Sequence, residues 1–112
     1  MTGADMPQKR PQQVYTLLVE VGRKKGDGLP DASVGAGLVV YASGVDEAEA
    51  VRETVAILKQ ADLAVLEVTG HGSVADQEKA GIEIAPEERS LMDRALAENA
   101  VIVAQVEPFF DD

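Results

Sequence analysis

The stretch Val68-Thr69-Gly70-His71-Gly72-Ser73-Val74-Ala75-Asp76-Gln77 contains the only histidine of the chain, with a serine and an aspartate close behind it. A histidine near a hydroxyl and a carboxylate raises the question of nucleophilic catalysis. Such chemistry needs the nucleophile within hydrogen-bond reach of the imidazole and a third group orienting the ring. Ser73 and Asp76 are near His71 in sequence, but neither stands in a recognisable nucleophile context such as G-x-S-x-G. A zinc site is disfavoured as well, because one histidine and no cysteine leave only carboxylates to complete the three or four ligands. The expectation is a polar turn, its glycines supplying unusual backbone angles. His71 is retained only as a weak acid/base candidate.

Gly22-Arg23-Lys24-Lys25-Gly26-Asp27-Gly28 offers a second chemistry. It does not match the G-x-x-x-x-G-K-[ST] phosphate loop, and no helix follows to present its N-terminus. Glycine amides with Arg23, Lys24 and Lys25 still form a candidate anion or acidic-partner site, weighed against a solvated hairpin connection. Gly35-Ala36-Gly37 precedes a strand, where a dinucleotide fingerprint would follow one, so it reads as a bend or bulge. Tyr15 and Tyr41 fall on the first two predicted strands and are candidates for packing or for lining an open sheet face. Two aromatics without clustered bases do not make an RNA platform. The carboxylates show no glycosidase, EF-hand or divalent-metal spacing, and no cofactor or metal is expected.

Those residues must be placed by the elements around them. Residues 1–12 are polar, include two prolines and lack periodicity, and predict a disordered tail, leaving 13–110 as a single domain. Val14–Val21 predicts a strand with Tyr15, Leu17, Val19 and Val21 on one face. A long glycine-rich loop, 22–37, leads to a second strand at Gly37–Ala42, pairing antiparallel with the first. Asp46 and Glu49 predict a capped helix running to Ala61 or Asp62, with Ala48, Val51, Val55 and Leu58 as its apolar stripe. A third strand follows at Leu63–Thr69, then a turn, and a short fourth strand at Ile82–Ile84. Pro86 opens a second helix that buries Leu91, Met92, Ala95 and Leu96 and stops at Asn99. Val101–Val106 is the final strand, followed by the acidic tail EPFFDD.

From residue 37 this order is βαββαβ, the ferredoxin-like arrangement, with an extra strand in front. The segment YASGVDEAEAVRETVAILKQADLAVLEVT resembles the first β-α-β of small uncharacterised bacterial α+β domains of ferredoxin-like type. The resemblance covers roughly residues 13–108 as a pattern of elements. It implies a mainly antiparallel sheet with two helices on one face, and it carries no chemistry-bearing motif. Strands such as Val101-Ile102-Val103 are apolar on both sides, which predicts a sheet covered on both faces. With helices available for one face, the other is expected to pack against a second copy, giving a homodimer through the sheet.

The bulk numbers bound the function. At 112 residues with 46% apolar content, the chain suffices for one packed core. The absence of cysteine removes disulfides, thiolate metal sites and cysteine nucleophiles. A net charge of −10 argues against general nucleic-acid binding. The N-terminus does not read as a signal peptide and no run is long enough to span a membrane, so a cytoplasmic location is expected. Three functions compete: a non-catalytic dimeric binding or regulatory module, a small dimeric α+β-barrel enzyme using His71, and an acidic interaction or inhibitor protein for a basic partner. The first is the leading expectation.

Overall fold

A computed structural model of the chain describes residues 11–111. The elements are β1 (Gln13–Val21), β2 (Ser33–Gly44), α1 (Glu47–Gln60), β3 (Val65–Ser73), α2 (Val74–Lys79), α3 (Pro86–Glu98) and β4 (Val101–Phe110). They form an α+β fold on one open four-stranded sheet, in the order β3-β1-β2-β4 with every pair antiparallel. The expected tail lies almost wholly outside the described residues. Gln12 is described, and its side-chain oxygen accepts from the Ser43 hydroxyl at 2.9 Å.

The central pair is the β1–β2 hairpin, in register from Gln13↔Gly44 to Val21↔Ala36. The first strand is thus one of two middle strands, and the ferredoxin-like order is not formed. That order also needs a strand at Ile82–Ile84, and none is present. The Ile82 amide donates to the Gln77 carbonyl, which ties it to the end of α2. Both edges of the sheet are taken by β3 and β4, and Ile84 packs against the α3 cluster instead.

The two long helices lie on opposite faces, which corrects the expectation of one helical layer. Tyr15, Leu17, Val19 and Val21 of β1 share a cluster with Ala36, Leu38, Val40 and Ala42 of β2 and with Ala50 and Leu58 of α1. The alternate residues Val14 and Tyr41 join Met92 and Ala95 of α3, with Val39, Ile102 and Ala104 alongside. Successive side chains of a strand point to opposite faces, so these clusters are the two sides of one sheet. This is why the strands read as apolar on both sides.

The helix ends follow the sequence closely. Asp46 accepts from the Glu49 amide at 2.8 Å, while Glu49 reaches back to the Val45 amide at 3.1 Å. The first bond satisfies an amide that the first turn of α1 leaves without a helical partner, and the second ties down the residue before the cap. Pro86 stands in the first turn of α3, and Asn99 ends that helix with a left-handed φ of 49°. The strands run longer than expected. β2 begins at Ser33, four residues before Gly37, and β4 absorbs the predicted tail through Phe110. Each extension gains ladder partners from the other, since Ser33↔Phe110 and Ala36↔Pro108 are paired.

Candidate functional site

The predicted turn around His71 is mostly strand. β3 continues through it to Ser73, and one extra residue is accommodated between the pairs Leu17↔Gly70 and Tyr15↔Ser73. Gly72 supplies the positive φ of 89° at this bulge. Gly70 lies beneath the Glu47 carboxylate at the start of α1, where a Cβ would overlap it. Ser73 then caps α2. Its hydroxyl accepts from the Asp76 amide, and the Asp76 carboxylate accepts from the Ser73 amide, both at 3.1 Å. These bonds hold the Asp76 carboxyl below the usual carboxylate range, the backbone bond from Ser73 first. Ser73 and Asp76 are therefore engaged with each other in a capping box, which accounts for their spacing. His71 is exposed, in a shallow recess with Thr16, Leu18, Gln77 and Ile82.

Arg23 is the keystone of the β1–β2 loop. Its guanidinium donates to Asp27 at 3.0 Å, to the Pro30 carbonyl at 2.9 Å and to the Asp31 and Ser33 carbonyls. Asp27 also accepts from the Lys24 and Leu29 amides. The Arg23 bond first, then those amides, hold its carboxyl at about 2. The role of Arg23 is thus to fold the loop around its own charge. Lys24 stands 3.9 Å from Asp62, and Lys25 is exposed.

The two tyrosines lie on opposite faces, Tyr15 beneath α1 and Tyr41 beneath α3. The Tyr41 phenol donates to Glu88 at 3.3 Å. Burial first, and then the Glu88 charge, raise its ionisation above the ordinary value of 10.0. A group whose folded pKa is raised contributes stability that is whole below the unfolded pKa and is lost as pH rises through the folded one. Phenolate absorbance followed against pH is expected to show a late phase above pH 10 that Tyr41→Phe removes. A titration unchanged by Tyr41→Phe would contradict this. Of the six predicted binding residues, Arg23, Lys24 and Lys25 share the β1–β2 loop, while His71, Tyr15 and Tyr41 lie elsewhere and apart from one another.

A different surface is assembled by the sheet. On the second face, α2 and α3 cover only the half that holds Val14, Thr16 and Tyr41. Gln77 of α2 marks this cover by donating to the Thr16 hydroxyl at 2.8 Å. Beyond it lies an open depression of about 340 Å³. Its floor is Leu18, Val39 and Phe109, and its walls include Glu20, Glu67, Glu107, Thr69 and Gln105. The register explains the assembly. Glu67 pairs with Glu20, Glu20 with Gly37, and Gly37 with Glu107, so one row crosses all four strands. The next row is Thr69, Leu18, Val39 and Gln105. Phe109 fills the gap in the first row, its ring tip 3.1 Å from where a Cβ on Gly37 would stand.

At a strand spacing of ~5 Å, the three carboxylates span roughly 15 Å above an apolar floor. Each lies two residues from an apolar or polar partner on its own strand, as in Leu18-x-Glu20 and Glu107-x-Phe109. This period-two pattern is a local signal, but the row exists only once the strand order is known. Among the described residues, no group of three or more histidine, cysteine, aspartate or glutamate side chains is placed to hold a metal ion.

Fold and site define a small α+β protein with an open antiparallel sheet and a half-covered second face. A family model described as a domain of unknown function (DUF8846) matches residues 14–110, and the chain belongs to that family. A search of curated proteins and one of solved structures returned no match. Among the described residues, no helix is long and apolar enough to cross a membrane.

Proposed function

We propose that this chain is a non-catalytic binding module that takes a basic, partly apolar protein segment on the open half of its sheet. The carrying observation is the row Glu67–Glu20–Glu107 set beside an apolar floor of exposed Leu18 and Phe109 and half-buried Val39. Exposed apolar surface of this kind favours a partner, and the carboxylates select its sign. A symmetric pairing of two such faces would bring together three carboxylates from each copy. Like charges at close range oppose that arrangement at neutral pH, so the face suits a basic partner better than a second copy. With the two long helices on opposite faces, only this half of the second face is open to a second copy. The binding reading also fits the region around His71, where Ser73 and Asp76 are engaged in helix capping.

The test is titration of the full chain with an extended peptide of alternating lysine and valine, followed by calorimetry. Binding is expected to weaken as salt rises and to fall at least roughly tenfold when Glu20, Glu67 and Glu107 are all changed to glutamine. Equal binding of a glutamate–valine peptide, or an unchanged affinity in the triple variant, would overturn the reading.

A further inference from the structure

Resting on that reading, we infer that the open face selects arginine over lysine, with Phe109 as the specificity-determining residue. The Phe109 ring crosses Gly37, the one position of the carboxylate row without a side chain. Glu20 and Glu107 pair with Gly37 from its two sides, so they flank the ring. The ring is 41% exposed, and it borders the same depression as both carboxylates. An aromatic surface between two carboxylates matches a planar cation. A guanidinium can stack on the ring and direct its edge N–H groups to the carboxylates at the same time. A lysine ammonium is a compact point charge that reaches the carboxylates but does not stack in this way.

The glycine is what permits the arrangement. A Cβ at position 37 would stand 3.1 Å from the ring tip, so the ring would have to give by a few tenths of an ångström from its seat on the strand. Leu18 and Val39, one row away, provide apolar contact for the aliphatic stem or for neighbouring side chains of the partner. The occupant is thus an extended segment carrying arginine next to apolar residues, and charge complementarity assigns it to this face.

The experiment compares three peptides of the same alternating design on the full chain, with arginine, lysine or the uncharged isostere citrulline at the polar positions. The arginine peptide is expected to bind about tenfold more tightly than the lysine peptide, and the citrulline peptide most weakly. Phe109→Leu is expected to bring the ratio of arginine to lysine affinity down to about one, whatever it does to both affinities, and Phe109→Tyr to keep the preference. Circular dichroism and thermal melting establish that each variant is folded, and the tyrosine variant keeps the test open if the leucine variant does not fold. Equal binding of the arginine and lysine peptides, or a preference that survives Phe109→Leu, overturns this inference and leaves the basic-partner reading standing. Failure of both charged peptides to bind the unaltered chain overturns both.

Discussion

Leu17→Ala is expected to destabilise the protein by about 3 kcal/mol, whereas Leu18→Ala at the next position costs under about 1 kcal/mol. The two leucines are adjacent in sequence and identical in chemistry, but the strand sends them to opposite faces. Leu17 is 0% exposed within the cluster that joins β1 and β2 to α1. Its truncation removes buried apolar contact and leaves a cavity that the two central strands cannot close without moving. Leu18 is 43% exposed on the open half of the second face, so its truncation mainly sheds surface that already meets water. For a domain of this size, the first change lowers the melting temperature by roughly 10–20 °C. Urea unfolding of both variants gives the comparison directly. Similar losses at the two positions would mean that α3 covers the whole second face or that α1 does not cover the first. Leu18→Ala is informative in a second way, since it should weaken the basic peptide while sparing the fold.

The contrast between those leucines also shows what a sequence of this kind reveals. The alternation in Val14–Val21 places Tyr15, Leu17, Val19 and Val21 together, and the structure keeps them together beneath α1. The first helix was legible because its capping signals are local, Asp46 and Glu49 at the start. Its buried face is Ala50, Thr54 and Leu58, so the expected stripe is shifted, with Leu58 buried, Val51 and Val55 half-buried and Ala48 exposed. Which face a helix chooses is not local. Both apolar stripes say only that each helix packs on something, and Met92 and Ala95 find Tyr41 through a connection that no periodicity encodes. The glycines around His71 lower strand propensity, so the segment read as a turn. Pairing with β1 overrides that tendency, helped by the bulge at Gly72. The bonds that Arg23 makes were not legible because its partners are mostly backbone carbonyls of its own loop, and carbonyls have no signature in sequence. The carboxylate row was hidden for the same reason as the topology. Glu20, Glu67 and Glu107 lie far apart in the chain and meet only through the order β3-β1-β2-β4.

The glycines at 35 and 37 separate stability from recognition within three residues of one strand. Gly35→Ala is expected to cost about 3 kcal/mol, because its new Cβ would stand 2.5 Å from the Val21 carbonyl oxygen. That oxygen belongs to the backbone at the end of β1, so relief requires one central strand to shift against the other. The site is also where the β2–β4 register slips, between Ser33 and Gly35, as expected for a glycine that bends a strand. At Gly37 the obstacle is the tip of the Phe109 ring at 3.1 Å, on a partly exposed side chain of an edge strand that can rotate away. Gly37→Ala meets this mild crowding but gains from a less flexible unfolded chain, a benefit of up to about 1 kcal/mol. Its melting temperature should therefore stay close to that of the unaltered protein. Its preference for the arginine peptide should nevertheless fall, because the added methyl pushes the ring tip off its seat between Glu20 and Glu107. Thermal melts of the two variants beside the peptide titrations decide the matter. If Gly35→Ala is as stable as Gly37→Ala, the close approach of β2 to Val21 is wrong. If Gly37→Ala keeps its full preference for arginine, the ring's position over the glycine is not what selects the partner.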